Sequence, residues 1–351
     1  MTANKLTVLG VMSGTSLDGL DLALVTFDFD KAWSFSIIHA QTIPYSKAWR
    51  NRLATAAALS RQQIAHLDHD YTVYISNQIN GFLDRYSFVK VDFVSSHGHT
   101  VLHQPQDGLT YQIGNLPVLA QRLGTKLICD FRSADVALNG QGAPLVPGAE
   151  IHLFSEYAAC VNLGGFANIS LLDGRQTVAF DICGVNVVLN RLAEKKGHSF
   201  DPDGAMAQSG QLLSSLFTQL NALSYYDYPP PKSLGVEWVA ANITPLLAEH
   251  YAPEDVLHTY CHHVAEQISK VLPTYQQTLF TGGGCYNNFL MQLIREKATA
   301  EIVLPAQSII EFKEAIAFAF LGVLKHLNRP NCLSRVTGAV RDHTSGVIFF
   351  P

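Results

Sequence analysis

Two glycine-rich segments, about 150 residues apart and each set between apolar runs, constrain this chain more than any other feature. The first reads Thr7-Val8-Leu9-Gly10-Val11-Met12-Ser13-Gly14-Thr15-Ser16-Leu17-Asp18-Gly19 and passes into the apolar run from Leu20 to Val25. The second reads Cys160-Val161-Asn162-Leu163-Gly164-Gly165-Phe166-Ala167-Asn168-Ile169-Ser170. A small-residue turn between two strands exposes backbone N–H groups that can cradle an anion, and glycine lets a phosphate come close. One such turn says little. Two, in corresponding places of two halves, point to a phosphate clamped between two related domains.

The flanking pattern repeats in the same sense. Strands are predicted over 5–12, 20–29 and 33–43, helices over 46–58 and 61–86 with Ser60 as a cap, and a short buried strand over 91–96. A helix near 115–123 and a strand over 126–130 complete the first set. Strands near 157–163, 167–172 and 176–181 open a second set. Helices over 185–196, 204–221, 235–249 and 254–272 follow, then strand 276–281, helix 286–297, strand 300–304, helix 308–326 and a last strand over 345–350. Three strands and then alternating helices and strands, twice over, describe an α/β fold with a structural duplication. The boundary is placed near 131, giving domains 1–131 and 132–339, with the tail 340–351 a candidate to return to the first. Tyr228-Pro229-Pro230-Pro231 reads as a rigid surface turn.

Composition narrows the class. At 351 residues, 48% hydrophobic and 15% charged, the chain is an ordinary folded protein with room for two cores. A net charge of −5 leaves no basic footprint for nucleic acid, and no apolar run is long enough for a membrane span. Residues 1–5 lead into a strand without a secretory apolar region, and the six scattered cysteines suggest neither zinc nor a disulfide framework. A cytoplasmic protein with reduced thiols is expected.

Several segments carry chemistry. Around Gly14, the hydroxyls of Ser13, Thr15 and Ser16 and the N–H groups could hold a γ-phosphate, and Asp18 could hold Mg²⁺ directly or through water; a capped β-turn explains the same residues equally well. Thr281-Gly282-Gly283-Gly284-Cys285 follows an apolar strand and precedes a helix. Three glycines exceed what a turn needs, which favours nucleotide binding. Ser96-His97-Gly98-His99-Thr100-Val101-Leu102-His103 crowds three histidines on a predicted irregular loop. Spacings of two and four there do not fix metal geometry, and His103 reads as a surface residue. With Arg132 and the Gly140-Gln141-Gly142 loop, these residues suit a ligand rich in hydroxyls and carboxylate. Asp181 ends an apolar strand, as either a half-desolvated general base or a cap for the next helix. Glu314 could face a cleft or be a solvated helix charge.

Taken in order, Gly10 to Gly19, Ser96-His97-Gly98, Gln112-Ile113-Gly114, Asp130-Phe131-Arg132, Gly140-Gln141-Gly142-Ala143-Pro144-Leu145, Asn162-Leu163-Gly164-Gly165, Thr281 to Gly284 and Val336-Thr337-Gly338-Ala339 resemble the anhydro-N-acetylmuramic acid kinases of the sugar kinase–Hsp70–actin superfamily, nearly end to end. The resemblance implies two RNase H-like (actin-like ATPase) domains flanking an interdomain cleft. It implies an enzyme of cell-wall recycling that uses ATP, Mg²⁺ and water to open 1,6-anhydro-N-acetylmuramate and phosphorylate O6. It aligns Asp181 with the catalytic base, and Gly14, Thr15, Ser16, Leu17, Asp18, Gly19, Leu20 and Asp21 with the first ATP-binding segment. Asn162, Gly164, Gly165 and Gly282–Gly284 are further nucleotide candidates; His97, Thr100, Arg132, Gln141, Asn186 and Glu314 are sugar candidates. The family's usual Asp-Thr-Gly-Pro-Gly-Asn reads Asp181-Ile182-Cys183-Gly184-Val185-Asn186 here, its common glutamine after Ser-His-Gly is His99, and Leu138-Asn139 lead into Gly140. The partners expected are the two small molecules, with neither nucleic acid nor membrane, and a homodimer as the oligomeric option. An ordinary N-acetylhexosamine kinase without ring opening, or a non-catalytic nucleotide-dependent regulator, are the alternative readings.

Overall fold

One sheet topology occurs twice. The computed structural model describes residues 5–173, 176–247 and 250–351. They form two compact units, Met1–Leu153 with Phe312–Pro351, and Phe154–Glu311. The first crossing therefore falls after Leu153 rather than near 131, and the chain re-enters the first unit at Phe312, well before the tail.

The first unit opens with β1 (Lys5–Ser13), β2 (Gly19–Asp30) and β3 (Ala32–Pro44), an antiparallel meander. Helices α1 (Lys47–Ala54) and α2 (Arg61–Arg85) follow. Ser60 and Gln63 form a reciprocal capping box at the start of α2. Ile64, Leu67, Tyr71, Ile75, Ile79 and Phe82 recur every three to four residues along α2 and are buried in one core with Leu9, Leu22 and Val94. β4 (Phe93–Gln104) pairs parallel with β1, and β5 (Leu109–Ile113) folds back on β4. The three histidines thus lie on an extended strand, not an irregular loop: pairing with β5 carries β4 eight residues beyond the predicted end at 96. Then come α3 (Val118–Leu123), β6 (Leu127–Cys129) parallel to β4, α4 (Ser133–Ala137) and α5 (Pro147–Leu153).

The second unit repeats the plan. β7 (Ala159–Leu163), β8 (Phe166–Leu171) and β9 (Val178–Gly184) form the meander. α6 (Asn186–Glu194) leads to α7 (Ala205–Ser209) and α8 (Ser214–Asn221). The single helix expected over 204–221 is broken at Gly210, which is extended; Gln211 N–H donates to Asp255 Oδ1 and Leu213 N–H to Thr259 Oγ1. The helix expected over 235–249 is a short α9 (Val236–Trp238) that widens into a π-helical turn over Val239–Ile243 and only then tightens into a 3₁₀ turn over Thr244–Leu246, where Pro245 intervenes; residues 248–249 lie outside the described residues. α10 (Pro253–Val271), β10 (Gln277–Thr281), α11 (Asn288–Lys297) and β11 (Glu301–Val303) complete it.

α12 (Gln307–His326), α13 (Ser334–Thr337) and β12 (Val347–Phe349) end the chain. β12 pairs antiparallel with β6, so the tail closes the first sheet. Gly10 on β1 has no room for a Cβ, which would strike the Ala315 carbonyl and the Ala319 side chain of α12. The strand orders are β12-β6-β4-β1-β2-β3, with β5 on β4, and β11-β10-β7-β8-β9. In each unit the first strand pairs antiparallel with the second and parallel with the strand after the first crossover. This is the RNase H-like arrangement in duplicate, as in actin-like ATPases. Among the described residues no helix is long and apolar enough to cross a membrane.

Candidate active site

The first hairpin splits its candidates by burial. Leu17 N–H closes the turn on Gly14 O at 3.4 Å, with Leu17 at φ 60°, and Thr15, Ser16 and Asp18 stand exposed. Ser13 does not join them. Its buried hydroxyl is held by Tyr45 Oη at 2.7 Å and His99 Nδ1 at 2.9 Å, and Tyr45 Oη meets Tyr71 Oη at 2.5 Å. Burial pushes Tyr45 up to about 12 and His99 down to about 4, so this network is uncharged at neutral pH. Leu20 is a core side chain paired to Ile43 on β3, not a ligand-facing one. Asp21 accepts from Thr42 Oγ1 at 2.6 Å, whereas Asp18 leaves its carboxylate in solvent.

His97 and Arg132 are one assembly. Arg132 Nε–H donates to His97 Nε2 at 3.0 Å and Arg132 Nη1 donates to Gly142 O at 2.5 Å. His97 Nδ1 lies 2.9 Å from Gly98 O, so the ring hydrogen sits on Nδ1 and both ring nitrogens are used. Burial, reinforced by the Arg132 guanidinium, keeps His97 neutral. His97 therefore orients Arg132 and offers no free atom of its own. Arg132 is only partly buried, and its Nη2 edge carries no hydrogen bond among the described residues. Glu314 on α12 is solvent-accessible but ringed by protein atoms. That desolvation raises its carboxyl pKa, against the lowering effect of Lys313 and Arg132. Thr100 accepts from Gln112 Nε2 at 3.4 Å, and Gln141 is exposed with its N–H on Thr337 O.

In the second unit, parallel pairing of β10 with β7 sets Thr281 beside Asn162. Both strands end in glycines, so Gly164-Gly165 and Gly282–Gly284 share one sheet edge. Gly282 has φ 87° and ψ 161°, and a Cβ there would lie 2.6 Å from Asn162 Oδ1 and 2.8 Å from Leu163 O. Gly283 is different: it is exposed, has no positive φ, and a Cβ would meet nothing within 4 Å. A 3₁₀ turn over Gly283–Tyr286 takes in two of the glycines and leads to α11, whose cap is Asn287. Asn186 Nδ2 reaches Leu163 O at 3.4 Å, at the same edge.

Asp181 lies within β9, which runs on to Gly184, so it does not cap the next helix. Its Oδ2 accepts from Leu234 N–H at 2.9 Å; its N–H donates to Lys232 O, and its carbonyl accepts from Tyr225 Oη at 2.7 Å. No donor among the described residues reaches Oδ1. Desolvation raises the carboxyl pKa, opposed by the Leu234 hydrogen bond. The segment that makes these bonds flanks the proline run read from sequence as a surface turn, so Lys232 and Leu234 hold Asp181 through backbone groups that side-chain chemistry did not mark; stiffness of the run was the available signal.

The sequence model of the anhydro-N-acetylmuramic acid kinases matches residues 6–351. The chain belongs to that family. It is 34% identical to the anhydro-N-acetylmuramic acid kinase of Shewanella baltica, over 96% of this chain and 97% of the relative. The corresponding figures are 33%, 97% and 98% for the Mannheimia succiniciproducens enzyme, and 31%, 98% and 99% for that of Bacillus cereus. Among solved structures, xylulose kinase from Lactobacillus acidophilus matches at 9% identity, covering 98% of this chain and 94% of that one, with a TM-score of 0.45. The chain is an enzyme with the anhydro-N-acetylmuramic acid kinase role in peptidoglycan recycling, and the relatives lend nothing to a simple hexosamine kinase or a regulator. As a kinase it uses ATP.

Proposed function

We propose that Asp181 is the general base of a coupled reaction in which water opens the 1,6-anhydro bridge and the released O6 takes the γ-phosphoryl group of ATP. Asp181 accepts a proton from a water attacking the anomeric carbon. The C1–O6 bond breaks with its electron pair on O6, and O6 attacks the γ-phosphorus as ADP leaves. The products are N-acetylmuramate 6-phosphate and ADP. Coupling the steps avoids releasing an alkoxide into water. The observation that carries this reading is the Asp181 carboxylate itself. One oxygen is anchored by a backbone N–H, the other meets no donor among the described residues, and desolvation raises the carboxylate's basicity.

In the first unit, the exposed Thr15 and Ser16 hydroxyls and the N–H groups from Gly14 to Gly19 serve the phosphates, with Leu20 and Asp21 holding the hairpin in place. In the second, Asn162, Gly164, Gly165 and the Gly282–Gly284 turn serve the nucleotide. Asp18 suits Mg²⁺: a hard cation that keeps water and phosphate ligands needs only one protein carboxylate, and Asp18 presents its own to solvent. When bound, the ion neutralises charge on the transferring phosphoryl group. The Arg132 Nη2 edge, Thr100, Gln141, Glu314 and Asn186 contact the sugar, and His97 positions Arg132. We place the enzyme in the cytosol, where its six buried cysteines stay reduced thiols.

Incubation with ATP, Mg²⁺ and anhydro-N-acetylmuramate in ¹⁸O-water tests the coupling. The label should appear at the C1 hydroxyl of the 6-phosphosugar. An unlabelled phosphosugar, or label in phosphate alone, would overturn it.

A further inference from the structure

The first unit holds a second cluster of ligating side chains that this chemistry does not use. Asp135 on α4 and Cys332 are buried, and only 8% of the His343 side chain is exposed. A backbone bridge joins Cys332 and His343: each N–H donates to the other's carbonyl, at 3.1 and 3.2 Å. One carboxylate oxygen, one sulfur and one ring nitrogen lie within 4.8 Å of one another.

The hydrogen bonds around this cluster leave one of its buried polar atoms without a partner among the described residues. His343 Nδ1 lies 3.2 Å from Arg341 O, which can only accept, so Nδ1 carries a hydrogen and, in the neutral ring, the lone pair is on Nε2. Nε2 is buried with no hydrogen-bond partner among the described residues and faces Asp135 Oδ1 at 3.6 Å, another acceptor. That carboxylate already receives Thr337 Oγ1 at Oδ1 and Gly142 N–H at Oδ2, both at 2.8 Å. With the ring neutral, two buried lone pairs face each other with no donor between them. Their separation is long for a hydrogen bond. It matches the edge of about 3.4 Å between two ligands each ~2.1 Å from a tetrahedral ion.

We propose that Asp135, Cys332 and His343 hold a Zn²⁺ ion, with water as the fourth ligand. Imidazole nitrogen, thiolate sulfur and carboxylate oxygen in this arrangement suit a borderline-soft divalent metal and not Mg²⁺ or Ca²⁺. Binding replaces the thiol proton of Cys332, which leaves to solvent as one H⁺ per ion. The outer partners are in place: the Arg341 carbonyl behind His343, and Thr337 and Gly142 behind Asp135. The ion ties the C-terminal segment to α4. Through Asp135 and Gly142 it also supports the carbonyl that receives Arg132 Nη1.

The test uses the full chain, stripped with a chelator and then given one equivalent of Zn²⁺ or Co²⁺. One Zn²⁺ per chain by elemental analysis, a raised Tm, and a Co²⁺ spectrum with a thiolate charge-transfer band and intense tetrahedral d–d bands are expected. Cys332→Ala should abolish the charge-transfer band and weaken Zn²⁺ binding by more than about 100-fold, since loss of an outer-shell partner alone costs 10- to 100-fold. Cys160→Ala, in the other unit, should change neither. The wild-type arms decide the matter even if Cys332→Ala folds poorly. No bound Zn²⁺ and no Tm shift, or bound Co²⁺ without the charge-transfer band, would overturn the proposal. So would ¹⁵N spectra showing both His343 ring nitrogens protonated at neutral pH after Zn²⁺ is added, which would put an imidazolium–Asp135 pair in place of the metal.

Discussion

The glycine edge of the second unit separates a structural demand from a ligand demand at adjacent positions. At Gly282 the backbone occupies a region that costs other residues about 1–3 kcal/mol, and an added Cβ presses on Asn162 Oδ1 and Leu163 O. Gly282→Ala should therefore lose about 2 kcal/mol and lower the Tm of its unit by roughly 5 °C. At Gly283 the fold demands nothing, because the φ is ordinary and no atom stands within 4 Å of an added Cβ. Gly283→Val should unfold within about 0.5 kcal/mol of wild type, as exposed substitutions away from special features do. If this edge holds the nucleotide, the branched side chain occupies its place, and ATP affinity should fall at least tenfold, about 1.4 kcal/mol. Differential scanning calorimetry gives the first quantity and isothermal titration with ATP the second. Wild-type ATP affinity in a Gly283→Val protein of unchanged Tm would show that the turn is only a turn. An unchanged Tm in Gly282→Ala would refute the steric argument itself.

Two further outcomes follow from the buried polar groups. Arg132→Lys keeps the charge but cannot bond His97 and Gly142 while presenting a free edge; KM for the anhydro sugar should rise about tenfold or more with KM for ATP nearly constant, and steady-state kinetics in which both rise together would remove Arg132 from the sugar site. His97, His99 and His263 are all held neutral by burial, His99 at about 4 and His263 at about 3. Their contribution is complete above the unfolded histidine value near 6.5 and is lost as pH falls below it, because the unfolded chain takes up the protons first. For His99 the loss is on the order of 3 kcal/mol by pH 4. Urea unfolding across pH 4–7 should show that slope, reduced in His99→Gln; an equal slope in both proteins would contradict it.

Much of the fold was legible because it rests on local periodicity. The apolar runs of β1 and β2, the alternation of β3, the apolar stripe of α2 and the Ser60 cap depend on neighbours in sequence, and the repeat of that order exposed the duplication. What escaped depends on partners far along the chain. β4 continues past Ser96 because β5 pairs with it; α7 and α8 are separate because Asp255 and Thr259 of α10 take the intervening N–H groups. The site divides the same way. Asp181, Arg132 and the glycine runs stood out as residue types in a pattern. That His97 is spent on Arg132, that Ser13 is spent on Tyr45 and His99, and that Leu234 anchors Asp181 are facts of tertiary contact between residues unremarkable in themselves. Within the glycine run the left-handed backbone sits at Gly282, while Gly283 beside it is conformationally ordinary.

Asp181→Asn tests the central claim most directly, measured as kcat over a pH series beside ATP affinity. The amide keeps the size of the carboxylate and can still accept from Leu234 N–H, but it cannot take a proton. The account predicts a loss of kcat of roughly 10²–10⁴-fold with ATP affinity nearly unchanged. It also predicts that wild-type activity falls in acid with a midpoint above the ordinary aspartate range, and that this limb is absent from the variant's residual rate. Turnover near wild type in the folded Asp181→Asn enzyme, with the acid limb intact, would contradict it.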